Sequence, residues 1–174
     1  WIRINSKKKY DDKGRIAKAG KINKKIFSKA VRNWIYTANT EYRKSFDTKD
    51  FDDFFNISHP KFLKGLSLKD GAATLTEFTA ETLAENLTGN IAGVPPHHRF
   101  ILCGGGRKND FLIERIHQKL PATELIDDYG IDGDFIESQA FAYLAIRSYL
   151  KLPISFPETT GVSKPCTGGV IVKN

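Results

Sequence analysis

The sequence predicts an α/β fold with a partly parallel sheet, and three observations carry that prediction. Beyond Asp70 the hydrophobic period alternates in the order helix, strand, helix, strand, helix. The run Phe100-Ile101-Leu102-Cys103 has the length and flanks of a buried strand and passes directly into Gly104-Gly105-Gly106. The composition, 40% hydrophobic and 27% charged over 174 residues, is that of an ordinary globular chain. A chain of this length encloses one core, or one core and a small satellite, so one or two domains are expected.

Several classes are excluded at this stage. No stretch approaches the roughly 18 apolar residues of a membrane helix, and the start, Trp1-Ile2-Arg3-Ile4-Asn5 before Lys7, Lys8 and Lys9, lacks the apolar centre of a secretion signal. Cys103 and Cys166 are too few for a disulfide scaffold and wrongly spaced for a zinc site, and they read as reduced cytosolic thiols. Methionine is absent, even at position 1, so the sequence is expected to be a fragment. The 27 Lys and Arg outnumber the 20 Asp and Glu for a net charge of +7, and the excess lies in front: residues 1–44 hold 14 basic and 3 acidic side chains.

Along the chain, residues 1–20 read as an irregular polar segment around Lys7-Lys8-Lys9, Asp11-Asp12-Lys13, Gly14 and Gly20. Ile22, Ile26, Phe27, Ala30, Val31, Trp34 and Ile35 then recur at the helical period, with Lys24, Lys25, Lys29 and Arg32 opposite. From Tyr42 to Leu68 aromatic residues come at irregular intervals, which predicts short turns and helices. Asp70 can cap a helix whose stripe is Ala72, Leu75, Phe78, Thr79, Leu83, Ala84 and Leu87, ending near Gly89. Gly93-Val94-Pro95-Pro96 is a linker. After the strand at Phe100 a helix starts from Asn109, with Phe111, Leu112, Ile116 and Leu120 inward, and a brief strand follows at Thr123–Ile126. The next helix runs from Asp134 to about Leu150 on Ile136, Ala140, Phe141, Leu144, Ala145 and Ser148. Gly168-Gly169-Val170-Ile171-Val172 is either a last strand or an extended tail.

Two features could carry chemistry. In Gly104-Gly105-Gly106-Arg107-Lys108-Asn109, glycines between a strand and a helix let the backbone approach a ligand, and free amides at the helix start favour a phosphate. A tight turn capped by Asn109 explains the same residues, and the motif matches neither common phosphate-loop fingerprint. Glu137, three residues after Asp134, either completes a capping box or presents a carboxylate at the edge of the sheet. His97-His98 reads as exposed linker rather than metal site, since no third ligand is spaced nearby. Cys103 reads as a packed small hydrophobe rather than a nucleophile. The basic stretch from Lys7 to Arg32 supports, as the alternative reading, a non-enzymatic module that binds nucleic acid, although a solvated helix face explains it equally.

Taken together the motifs resemble the C-terminal half of the anhydro-N-acetylmuramic acid kinase family, within the sugar-kinase, actin and Hsp70 superfamily. The resemblance runs in order through Tyr10-Asp11-Asp12-Lys13-Gly14-Arg15-Ile16-Ala17, Lys44-Ser45-Phe46-Asp47, Ala73-Thr74-Leu75-Thr76 with Phe78-Thr79-Ala80, and Cys103-Gly104-Gly105-Gly106-Arg107-Lys108-Asn109. It continues through Gly130-Ile131-Asp132-Gly133-Asp134, Glu137, Gln139–Ala145, Arg147 and Thr159-Thr160-Gly161-Val162.

The resemblance implies an actin-like, ribonuclease H-like lobe, a mixed sheet with flanking helices, from a two-lobed kinase. Residues 1–70 would be a peripheral helix-rich segment of that lobe, 71–155 the nucleotide-side core, and 156–174 a tail returning toward the other lobe. It implies ATP held by Gly104, Gly105, Gly106 and Asn109, the sugar contacted by Glu137, Mg2+ as the accompanying ion, and no metal held by residues of this chain. The general-base aspartate of the family would lie upstream of Trp1, leaving no catalytic residue here and the fragment alone inactive. The reaction implied is ATP- and water-dependent opening of anhydro-N-acetylmuramic acid to N-acetylmuramic acid 6-phosphate, in bacterial cytoplasmic cell-wall recycling. Its partners are the amino sugar and ATP, with no membrane or nucleic acid, and a homodimer is compatible with it.

Overall fold

A computed structural model of the chain describes residues 1–38, 65–88, 98–170 and 172, and in it Trp1–Leu125 and Ile126–Asn174 form separate compact units. The aromatic stretch at 42–64, the linker Gly93–Pro96 and His97 lie outside the described residues, as do the side chains from Trp34 to Ala38. The units divide the chain at 125/126, whereas the sequence reading places boundaries near 70 and 155.

In the first unit the opening residues are more ordered than their composition predicts. Helix α1 spans Ile2–Asn5, a 3₁₀ turn Asp12–Gly14, and α2 Arg15–Lys18. The Asp11 carboxylate makes this possible: it accepts the amides of Ile16 and Ala17 at 2.8 and 2.9 Å and so satisfies donors at the start of α2. A side-chain cap of this kind leaves no periodicity in the sequence, which is why the segment reads as irregular. Helix α3 (Lys24–Ala38) follows as its period predicts.

The centre of this unit is α4, Leu68–Thr88, against which α1, α2 and α3 pack. Its small residues Gly71, Ala72, Ala73, Thr74, Ala80, Thr82 and Ala84 are buried along with Phe78 and Glu77. They let neighbours approach on several sides. Phe78 and Ala30 form one apolar cluster with Trp1, Ile26, Phe27, Val31, Leu66 and Leu75. Ala80, Ala84, Ile116 and Leu120 form a second with Leu83, Leu87, Phe100, Leu102, Leu112 and Ile113. Asp70 does not cap α4. It sits inside the first turn with its amide donating to Ser67 Oγ at 3.1 Å, while its carboxylate accepts the amide of Lys21 at 2.7 Å and ties down the approach to α3.

Strand β1 (Phe100–Leu102) pairs in parallel with β2 (Thr123–Leu125), Phe100 opposite Thr123 and Leu102 opposite Leu125. Helix α5 (Asp110–Lys119) connects them and packs on α4, which makes a strand–helix–strand crossover. The partly parallel sheet is therefore present, but β1 is not fully buried. Phe100 and Leu102 face the second cluster, whereas Ile101 is 48% exposed. Cys103, expected to be buried, is exposed for the same reason, because it follows Ile101 by two residues and shares its face.

The second unit begins with a 3₁₀ turn at Ile126–Tyr129 and continues through α6 (Ile136–Tyr149) and α7 (Pro157–Thr160). Ser155 and Cys166 form an antiparallel bridge, and Arg147 Nε donates to the Pro153 carbonyl at 2.7 Å. The inward stripe expected on α6 is not buried. None of its residues is enclosed, and Phe141 is 64% exposed. Val170 and Val172 are exposed, and the end of the chain pairs with no strand among the described residues. No described helix is long and apolar enough to cross a membrane.

Candidate functional site

At the end of β1 the chain turns through Gly104 and enters a 3₁₀ turn, Gly105–Lys108, before Asn109 caps α5. Gly104 has φ 79 and ψ 178, a backbone region open essentially to glycine alone. Gly105 and Gly106 are different. Their φ angles are not positive, and a Cβ built on Gly105 would meet nothing within 4 Å, while one on Gly106 would meet only Leu112 Cδ2 at 3.9 Å. The folded chain demands a glycine at 104 and merely tolerates them at 105 and 106. What those two positions provide is uncovered backbone.

The turn is held from behind. Arg107 is buried at 9% exposure, its amide and its guanidinium Nη1 both donate to the Gly104 carbonyl, at 3.3 and 3.1 Å, and Asn109 donates its amide to the Gly106 carbonyl at 3.0 Å. Asn109 Oδ1 in turn accepts the Leu112 amide at 3.0 Å, which is the N-cap read from the sequence. The amides of Gly105 and Gly106, at the start of the 3₁₀ turn, have no acceptor within it. An open turn with donors at the head of a helix can receive an anion such as a phosphate. Asn109 also borders an open cavity of about 440 Å³ whose wall includes Tyr10, Asp11, Ala72 and Thr76.

Below the turn, α5 is fastened to α4 by charge. Glu77, 5% exposed, accepts from Arg115 Nε and lies 2.9 Å from Lys119 Nζ, which also pairs with Glu81. Burial pushes the Glu77 carboxyl up, but the hydrogen bonds from Arg115 and Lys119 outweigh it and hold it below the ordinary glutamate value. Burial likewise pushes Lys119 down, and its bonds to Glu81 and Glu77 overcome this and raise it. None of these residues stands out in the sequence, since only the fold brings 77 and 115 together.

Glu137 lies in the second unit and is described there by itself. It is exposed in the first turn of α6, and its carboxylate has no hydrogen-bond partner among the described residues. The capping box expected with Asp134 does not form, because α6 begins at Ile136 with Phe135 as its N-cap. That start makes Glu137 the second helical residue rather than the third, where a box requires it. The structure thus brings Gly104, Gly105, Gly106 and Asn109 into one turn and keeps Glu137 apart from the cap expected of it. The basic residues of α3 whose side chains are described, Lys24, Lys25, Lys29 and Arg32, are exposed on the face opposite Phe27 and Ala30, a solvated face. No cluster of three His, Cys, Asp or Glu side chains that could ligate a metal occurs among the described residues.

The chain is an α/β protein with a strand–glycine turn–helix element, and comparison with known proteins gives its family. The family model of anhydro-N-acetylmuramic acid kinase matches residues 1–174. A protein of that name from Pelagibacter ubique is 46% identical over 100% of this chain and 45% of its own length. Those from Zymomonas mobilis and Methylobacterium nodulans are 36% and 37% identical over 98% and 99% of this chain, and 44% and 43% of their own. The chain belongs to the anhydro-N-acetylmuramic acid kinase family and spans less than half the length of these curated relatives. The C-terminal placement expected from the motifs is not carried by these shares of length.

Proposed function

We propose that these residues form part of an ATP-dependent sugar kinase with an actin-like lobe, which phosphorylates 1,6-anhydro-N-acetylmuramic acid. Water opens the anhydro bridge, the γ-phosphoryl group passes to the sugar, and the products are N-acetylmuramic acid 6-phosphate and ADP. The role is cytoplasmic recycling of cell-wall sugar. Family membership supports the reaction, and the observation that carries the nucleotide side is the pair of glycines at 105 and 106 that the fold itself does not need. Glycine there removes any side chain between backbone amides and an anion, so Gly104–Gly106 bind and orient the phosphates while Asn109 fixes the helix beneath them.

Glu137 is the proposed sugar contact, supported by its exposed carboxylate and by the failure of its capping role. The ATP carries the transferable group, and Mg2+, when bound with it, neutralises phosphate charge. The test is a crossed kinetic split in the full-length protein that carries these residues. Gly105→Val raises the KM for ATP with the sugar KM unchanged, and Glu137→Ala raises the sugar KM or lowers kcat with ATP binding unchanged. The same effect from both variants on both substrates contradicts the assignment.

A further inference from the structure

The segment Tyr10–Ala17 is far from the glycine turn in sequence and has no role in the reaction proposed above, yet it meets that turn in space. Gly14 is buried with φ +69, and its backbone lies so close to α5 that a Cβ there would stand 2.1 Å from Asn109 Oδ1 and 2.7 Å from Phe111 Cβ. Lys13 beside it also takes a left-handed conformation, φ 54, uncommon for a residue with a side chain. The turn that presents Gly14 is fixed at both ends. Gly14 donates its amide to the Asp11 carbonyl at 3.2 Å, and the Asp11 carboxylate holds the amides of Ile16 and Ala17. Lys18 then reaches Glu114 at 2.8 Å, so α2 and α5 are joined one turn further on.

The oxygen that Gly14 approaches is the one capping α5 at Leu112, and the amide of the same Asn109 bonds the Gly106 carbonyl. We propose that Gly14 is a positioning residue for the nucleotide turn: its bare backbone packs on Asn109 and thereby sets where Gly104–Gly106 stand over the head of α5. It touches neither substrate and acts only through Asn109. This rests on the reading of Gly104–Gly106 as the nucleotide turn.

The test is Gly14→Ala in the full-length protein, alone and combined with Asn109→Ser, a shorter side chain that still caps a helix. The expected result is a rise of about tenfold in the KM for ATP with the KM for the sugar unchanged, since small displacements of a binding turn carry costs of this order or more. In the Asn109→Ser background the same substitution has a smaller effect on the ATP KM, because the contact with Asn109 Oδ1 has gone and only the one with Phe111 Cβ remains. Equal rises in both KM values, or a Gly14→Ala effect that is the same with Asn109 and with Ser at 109, overturns the proposal. Where Gly14→Ala does not fold, Asn109→Ser alone, which takes away the oxygen that Gly14 packs on, is expected to raise the ATP KM with the sugar KM unchanged, and an unchanged ATP KM overturns the proposal. Gly105→Val separates the two readings. If Gly105→Val leaves the ATP KM unchanged, the nucleotide turn is wrong; if it raises that KM while Gly14→Ala does not, only the role of Gly14 fails.

Discussion

Gly104 and Gly105 are adjacent and chemically identical, but the structure gives them opposite sensitivities. Gly104→Ala forces a side chain into φ 79, ψ 178 and is expected to lower the thermal midpoint of the protein, whereas Gly105→Val has open space and should melt as the parent does while losing ATP affinity. Melting curves and an ATP titration on the two variants check both halves of the prediction. Charge at Glu77 makes a second case. Its folded pKa lies below the ordinary value of about 4.3, so the ion pair stabilises at neutral pH and that contribution is lost as pH falls through the folded pKa. Lys119 is raised, so its share is present below its ordinary pKa of about 10.4 and is lost as pH rises through the folded value. Glu77→Gln takes the negative charge and one of the two acceptor oxygens from between Arg115 and Lys119 and should cost about 3 kcal/mol at pH 7, with a smaller cost at pH 3. Urea unfolding at the two pH values measures the difference, and a cost independent of pH would contradict it. Asn109 as a cap was legible in the sequence because caps are local. The Glu77 network and the approach of Gly14 were not, because they join residues 38 and 95 positions apart.

Elements were legible wherever one face is buried and the other is wet. Helices α3 and α5 come out near their predicted places because their apolar residues keep a period, and β1 does because its apolar run has the length and flanks of a strand. The start of α4 moved because Ser67 does what Asp70 was expected to do, and Asp70 serves a tertiary contact that no local pattern encodes. Helix α4 also shows why small residues inside a helix can be demanding. A Cβ on Gly71 would lie 2.2 Å from Trp1 Cζ2, and Trp1 Nε1 donates to the Leu68 carbonyl at 2.9 Å. Gly71→Ala should therefore destabilise by about 1–3 kcal/mol through overpacking, although alanine in a free helix would gain up to about 1 kcal/mol. Equilibrium unfolding together with Trp fluorescence would register the displaced ring, and a net stabilisation would show that the ring yields freely. Helix α6 departs from the sequence reading for the opposite reason: its period is present, but none of its residues is buried and Phe141 is 64% exposed.

At the scale of the whole molecule, the two units carry different parts of the proposed chemistry, the glycine turn in Trp1–Leu125 and Glu137 in Ile126–Asn174. The family was legible because the motifs occur in order across the chain, and the match over residues 1–174 agrees with it. Part of the base at the front, Lys24, Lys25, Lys29 and Arg32, lies exposed on one face of α3, which serves as a solvated face as readily as a nucleic-acid contact. Any nucleic-acid affinity should fall steeply with salt and be no stronger for one sequence than another. Filter binding across a salt titration checks this, with Lys24, Lys25 and Lys29 changed to Glu as the control. The most direct test of the central claim is ADP release by the full-length protein with ATP, measured with and without 1,6-anhydro-N-acetylmuramic acid. The account predicts ADP release that depends on the anhydro sugar and yields its 6-phosphate in equal amount. ADP release indifferent to the sugar, or none at all from folded protein, would contradict it.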